Sequence, residues 1–135
     1  MNFDFIPFRL NRGIHYFKDQ ITYISTDNGI DLYDADPTDT HILFLGLSIR
    51  KINLYFYEQR LITLYIHLVP EPGGQTRVLK ALEDEVGQAP KLLEIPTGRV
   101  YRWVKGQEVL GLMTDKTGIR MYLYFTLKEY NVFRG

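Results

Sequence analysis

The chain is 135 residues long, a length that suits one compact domain and is short for two. Apolar residues make up 45% and charged residues 24%, a globular balance that excludes a disordered tail or a fibrous repeat. Sixteen basic side chains against sixteen acidic ones leave a formal net charge of zero, so no global field draws the chain to nucleic acid or anionic lipid.

The absence of cysteine removes disulfides, thiolate metal sites and cysteine nucleophiles together. Residues 1–10 contain Asp4 and Pro7 and no apolar run of signal-peptide length. The apolar stretches 42–47 and 61–69 fall far short of the ~20 residues that span a bilayer. The expectation is a cytoplasmic protein without membrane contact.

In chain order, the first expected element follows Asn11-Arg12-Gly13. Ile14, Phe17, Ile21 and Ile24 recur at helical spacing around Lys18, Asp19 and Gln20, which predicts a helix ending before Asp27-Asn28-Gly29. Residues 27–39 then carry Asp27, Asp31, Asp34, Asp36 and Asp39. An EF-hand register fails, because Asp39 stands where glycine is required and Leu45 where the bidentate Glu belongs. The stretch reads as a solvated acidic loop in which Asp34 and Asp36 match charge with a basic partner.

Ile52, Leu54 and Phe56 alternate with Asn53, Tyr55 and Tyr57, and Ile62, Leu64, Ile66 and Leu68 alternate with Thr63, Tyr65 and His67. A three-residue connection, Glu58-Gln59-Arg60, pairs Phe56 with Ile62 and Leu54 with Leu64 and puts all the aliphatics on one face. A second helix follows the break at Gly73-Gly74, with Thr76 as N-cap, an apolar stripe of Val78, Leu79, Leu82 and Val86, and Gly87 closing it. Gly106-Gln107 fits a tight turn that sets Lys105 opposite Glu108 and Trp103 opposite Leu110. A connection over Asp115-Lys116-Thr117-Gly118 sets Leu112 opposite Met121 and Leu110 opposite Leu123. Both turns send Tyr101, Trp103, Leu110, Leu112, Ile119, Met121, Leu123 and Phe125 inward.

The implied fold class is α+β: an antiparallel sheet covered on one face by two helices, in the order helix, meander, helix, meander. The two halves begin 63 residues apart, at Gly13 and Thr76.

Few residues carry a chemical signature. Asp115-Lys116-Thr117-Gly118 copies the phosphorylation tetrad of P-type ATPases, but that nucleophile needs a large parallel α/β domain with further acidic residues for Mg²⁺. A hairpin loop with Gly118 at positive φ explains the tetrad. His15, His41 and His67 are far apart, and no nucleophile elbow, phosphate-cradling glycine loop or His-Glu-x-x-His helix occurs. Catalysis, a metal and a cofactor are therefore not expected. Arg50-Lys51, Arg77, Lys80, Arg99, Arg102 and Arg120 are scattered, unlike the concentrated stripe of a nucleic-acid binder.

The second face of the strands is the strongest functional signal. It shows Asn53, Tyr55, Tyr57, Thr63, Tyr65, His67, Arg102, Met113, Arg120, Tyr122 and Tyr124. Tyr and Arg are enriched at interface cores because each joins a large contact area to a polar handle. Two alternatives compete with recognition: the ordinary strand preference of Tyr, and a terminal segment such as residues 3–10 folded over that face.

Gly13 opening a short helix, the hairpin corner at residues 57–61, and the helix stop Glu85-Val86-Gly87-Gln88-Ala89-Pro90 before a Trp103-bearing meander resemble a diffuse class of small bacterial α+β domains. Its members look like immunity proteins of toxin systems and lipoprotein-type domains. The resemblance covers residues 10–127 and implies a binding role, without an active site to carry over.

The sequence thus points to a non-catalytic, immunity-like or regulatory domain that occludes another protein through a patch of roughly 800 Å² per side. Tyr55, Tyr65, His67, Arg120, Tyr122 and Tyr124 are its expected anchors, with Asp34 and Asp36 as rim. A self-complementary tyrosine face would also suit a homodimer. The alternative function is a small-ligand or lipid pocket between sheet and helices, lined by Tyr101, Trp103 and Phe125.

Overall fold

The computed structural model describes residues 1–37 and 45–131, so Asp39, His41 and residues 42–44 of the apolar stretch 42–47 lie outside the described residues. Eight antiparallel strands form one sheet: β1 (Ile21–Asp27), β2 (Ile30–Ala35), β3 (Ile49–Tyr57), β4 (Arg60–Leu68), β5 (Lys91–Ile95), β6 (Gly98–Lys105), β7 (Glu108–Asp115) and β8 (Met121–Leu127). Their order is β1-β2-β3-β4-β8-β7-β6-β5. Each half of the chain is a four-stranded meander, and the two halves are hydrogen-bonded to each other at β4 and β8.

The expectation of two helices on the sheet is corrected: among the described residues there is one α-helix, α1 (Gly74–Val86). Where a first helix was expected, the chain makes a single 3-10 turn over Ile14–Tyr16 and then enters β1. The helical spacing of Ile14, Phe17, Ile21 and Ile24 is overruled by the β-branched run Ile21-Thr22 and by Asn28-Gly29. Both turn residues have positive φ, 52° and 79°, and close a two-residue hairpin in which Asp27 pairs with Ile30. Residues 27–35 are correspondingly not an acidic loop, because Asp31 and Asp34 sit on β2 and Asp27 ends β1.

The covered face of the sheet is filled by α1 and by the N-terminal segment. Val78, Leu82 and Val86 of α1 are buried in the same cluster as Leu54, Phe56, Leu64, Ile66, Leu112, Leu123 and Phe125. Phe3, Ile6, Phe8, Leu10 and Phe17 occupy the place left by the missing helix. Phe3 stands edge-on to Phe125 at 5.6 Å, Phe8 meets Phe17 at 5.7 Å, and Phe17 meets Phe56 at 6.0 Å. The Asn2 amide donates to the Val86 carbonyl at 3.0 Å, and the Asn11 amide donates to the Leu61 carbonyl at 2.8 Å. Residues 3–10 therefore pack beneath the aliphatic face and leave the tyrosine face to itself.

α1 begins earlier than expected. Gly73, with φ of 72°, precedes it, no side chain caps it, and Thr76 is an exposed residue inside it. Gly74 lets the helix start lie close to the sheet, since a Cβ would come within 2.8 Å of Met121 Cε and displace the end of that side chain. The stop is as expected: Gly87 has φ of 82° and its amide donates to the Glu83 carbonyl at 2.8 Å.

Both hairpins of the tyrosine-bearing strands differ in detail from expectation. Leu54 pairs with Leu64, but Phe56 pairs with Leu61 rather than Ile62, because Glu58-Gln59 makes a two-residue turn and an extra residue at Ile62 restores the register. Lys105–Glu108 and Trp103–Leu110 pair as expected. Across β7 and β8, Leu112 faces Leu123 and Leu110 faces Phe125, a shift of two residues that keeps every side chain on its expected face.

Candidate functional site

The second face of β3, β4 and β8 has no helix over it among the described residues. Tyr55, Tyr65, Tyr122 and His67 are half-buried there by one another. Tyr65 is the hub. It meets Tyr55 at 5.6 Å and Tyr122 at 5.6 Å, both edge-to-face, and stacks on His67 at 6.4 Å; His67 in turn meets Tyr122 at 5.6 Å. These contacts follow from register, since Tyr55 pairs with Thr63, Tyr65 with Tyr124, and His67 with Tyr122.

Tyr124 departs from the anchor role. It is 2% exposed and lies over Gly111, its cross-strand partner, where a Cβ would stand 2.0 Å from its ring. With Val100 and Val109 it forms a small core of its own, against which Leu93, Ile95, Met113, Tyr65 and Tyr122 pack. Tyr124 thus supports the face from within and does not present itself to a partner.

A polar chain crosses the same face. Asn53 Nδ2 donates to Asp34 Oδ1 at 2.6 Å, which turns Asn53 Oδ1 toward His67 Nε2 at 3.0 Å. A carbonyl oxygen there can only accept, so His67 carries its proton on Nε2 and leaves Nδ1 as the acceptor of the neutral ring. Burial, followed by the charges of Arg50 and Lys51, pushes the His67 pKa down, and Asp34 opposes the shift. Burial likewise raises Tyr65 and Tyr124, and it pushes Tyr122 up to about 12. All three phenols are neutral donors at physiological pH.

The two ends of the face differ. Toward the Glu58-Gln59 turn, Ile30, Tyr55, Ile62, Thr63, Tyr65 and Tyr130 border an apolar groove of about 300 Å³. At the other end of β4, a cleft of about 410 Å³ with a mixed lining is bordered by Arg50, His67, Asp115, Arg120 and Tyr122 and by four apolar side chains.

The structure therefore brings Tyr55, Tyr65, His67, Tyr122 and Asp34 together and sets Arg120 at the rim. Asp36 lies just past the end of β2, exposed to solvent. Sequence reasoning missed Arg50 and the role of Asn53. The signal was present: Ile49 and Ile52 are inward residues separated by two polar ones, which breaks strict alternation and marks a bulge. That bulge lies between Ile49 and Lys51.

The residues proposed for a ligand pocket are packed. Trp103 and Phe125 are each 2% exposed, Trp103 Nε1 donates to the Gln88 carbonyl at 2.8 Å, and Tyr101 takes a 2.5 Å hydrogen bond from Gln75. Among the described residues no group of three or more acidic or histidine side chains is placed to hold a metal ion, and no helix is long and apolar enough to cross a membrane.

No protein-family model matches the chain, and no curated protein matches its sequence. Among solved structures, the chain is similar in fold to a cysteine-rich secretory protein from Staphylococcus aureus, with a TM-score of 0.50 and 7% identity over 89% of this chain. The match takes in 45% of that protein, so this chain corresponds to less than half of its length. The present chain has no cysteine, and what the two share is the arrangement of strands.

Proposed function

We propose that the chain is a non-catalytic binding protein, immunity-like or regulatory, which seats another protein on the tyrosine face of its sheet. The observation that carries this reading is the asymmetry of the two faces. One is filled by α1 and the N-terminal phenylalanines, while the other keeps Tyr55, Tyr65, Tyr122 and His67 half-exposed with nothing over them among the described residues. Edge-to-face contacts already fix these rings, so little side-chain entropy would be lost on docking. Asp34 at one border and Arg120 at the other give the mixed-sign rim that selects a protein surface over a uniformly charged polymer.

The test pairs capture with reconstitution. Tyr55→Ala with Tyr122→Ala in the full chain should abolish retention of a protein that the unaltered chain captures from cells, and binding should be reproduced with the purified partner. Circular dichroism must show the variant folded. Retention of the same partner by the folded double variant would end the proposal, as would sedimentation showing that the face is used only for self-association.

A further inference from the structure

The cleft at the far end of β4 joins two arginines and an aspartate to an apolar floor, a set of charges that protein docking does not require. The bulge in β3 places Arg50 beside Lys51, both close enough to lower the His67 pKa, and the loop before β8 brings Arg120 to the opposite wall. Arg9, Arg77 and Arg99 each have a carboxylate partner, whereas Arg50 and Arg120 make no ion pair among the described residues. Two guanidinium groups without carboxylate partners in one cleft of about 410 Å³ can bind an oxyanion through paired N–H donors.

Asp115 borders the same cleft and selects among oxyanions. Its Oδ1 accepts from the Thr117 hydroxyl at 2.7 Å and from the Ile119 and Arg120 amides at 3.2 and 3.4 Å. Those hydrogen bonds, the Thr117 one foremost, hold its pKa below the usual carboxylate range, so it stays charged. These three bonds all fall on Oδ1, and the Gly118 amide also draws on the carboxylate. A ligand that satisfies both arginines and this carboxylate must be anionic and still own a proton to donate. Phosphate meets both conditions: orthophosphate keeps a proton at neutral pH, and a monoester loses its last one only near pH ~6, with a neighbouring carboxylate favouring retention. Sulfate and simple carboxylates have no proton left to give.

We infer that the cleft between Arg50, Arg120 and Asp115 is a phosphate-binding site, with Tyr122 and His67 forming its inner wall. Calorimetric titration of the full chain with orthophosphate and with sulfate, at matched ionic strength, tests it. Phosphate should bind saturably and sulfate at least about tenfold more weakly. Arg50→Ala and Arg120→Ala should each weaken phosphate binding by about tenfold or more, since each removes charge-assisted hydrogen bonds. Asp115→Asn keeps the Oδ1 acceptor that holds the loop and should erase the preference for phosphate. Glycerol phosphate run beside orthophosphate distinguishes an esterified ligand from the free ion. Equal affinity for phosphate and sulfate, absence of phosphate binding, or binding unchanged in both arginine variants overturns the inference. Thermal unfolding without ligand checks each variant, with Arg→Gln replacing any alanine that unfolds. Tyr122 borders both sites, so Tyr55→Ala alone, which lies outside this cleft, separates the two results: it should weaken partner capture and leave phosphate binding unchanged.

Discussion

At the residue scale, His67 and Gly111 show how single positions shape the face. His67 is half-buried among cations, so its folded-state pKa lies below the usual 6.5. The unfolded chain then binds more protons than the folded one as pH drops through that value. Stability contributed by neutral His67 is therefore complete above about pH 6.5, declines as pH falls through it, and levels off below the folded pKa. Urea unfolding followed from pH 7.5 to 5 should show this loss, and His67→Gln should flatten it, to an extent limited by the solvent still in contact with the ring. The phenols act at the other extreme. Because Tyr122 titrates at about 12, and Tyr65 and Tyr124 are also raised, the unfolded chain ionises first and stability should fall as pH rises beyond about 10. Tyrosinate absorbance should then appear together with loss of the far-UV signal. Gly111→Ala would drive a methyl group into the Tyr124 ring and cost roughly 1–3 kcal/mol in chemical denaturation. Adding Tyr124→Leu to it should cost less than the sum of the two single changes.

At the element scale, the turns decide what was legible. Strand alternation in residues 52–57 and 62–68, the Gly106-Gln107 hairpin and the end of α1 at Gly87 follow directly from the sequence, since each rests on a local rule with a period of two or a single glycine. β1 and β2 form where a helix is expected because four apolar residues at helical spacing are a weaker constraint than Asn28-Gly29 flanked by β-branched residues. That dipeptide is a hairpin signal in its own right and more than a helix stop. The site was legible as a face, because side-chain parity held even where β7 and β8 slipped by two residues. Its depth was not legible. That Tyr124 sinks over Gly111 while Tyr65 stays half-exposed depends on which cross-strand partner lacks a side chain.

The β3–β4 turn carries a local cost that can be relieved. Glu58 and Gln59 sit at φ of 50° and 64°, a left-handed conformation that side chains resist, and the Gln59 carbonyl accepts the Ile14 amide at 2.7 Å. Glu58→Asn with Gln59→Gly keeps that backbone and should stabilise the fold by about 1 kcal/mol, measured as a shift in the urea midpoint at constant m-value.

At the scale of the whole molecule, among the described residues the two meanders share strand-to-strand hydrogen bonds where β4 pairs with β8, across residues such as Thr63 and Thr126, whose hydroxyls are 2.7 Å apart while the residues are 63 apart in the chain. The aromatic hub straddles this junction, with Tyr65 on one half and Tyr122 on the other. Any partner seated on the face would therefore clamp both halves and raise the melting temperature, a rise that continues with the logarithm of partner concentration above Kd and that a titrated thermal-shift series would record.

The same junction governs how fast the molecule assembles. Hairpins within each meander close short loops and can form in microseconds, whereas docking β8 onto β4 must first close a much longer loop. Refolding should accordingly be limited by this one zippering event. In chevron plots, Ile66→Val and Leu123→Ala should slow folding, while truncations remote from it, such as Val100→Ala, should act chiefly by accelerating unfolding. Until that event is complete, the β4 and β8 edges of the nascent halves are unpaired backbone, and the kinetic hazard for this chain is exchange of a meander with a second copy of itself.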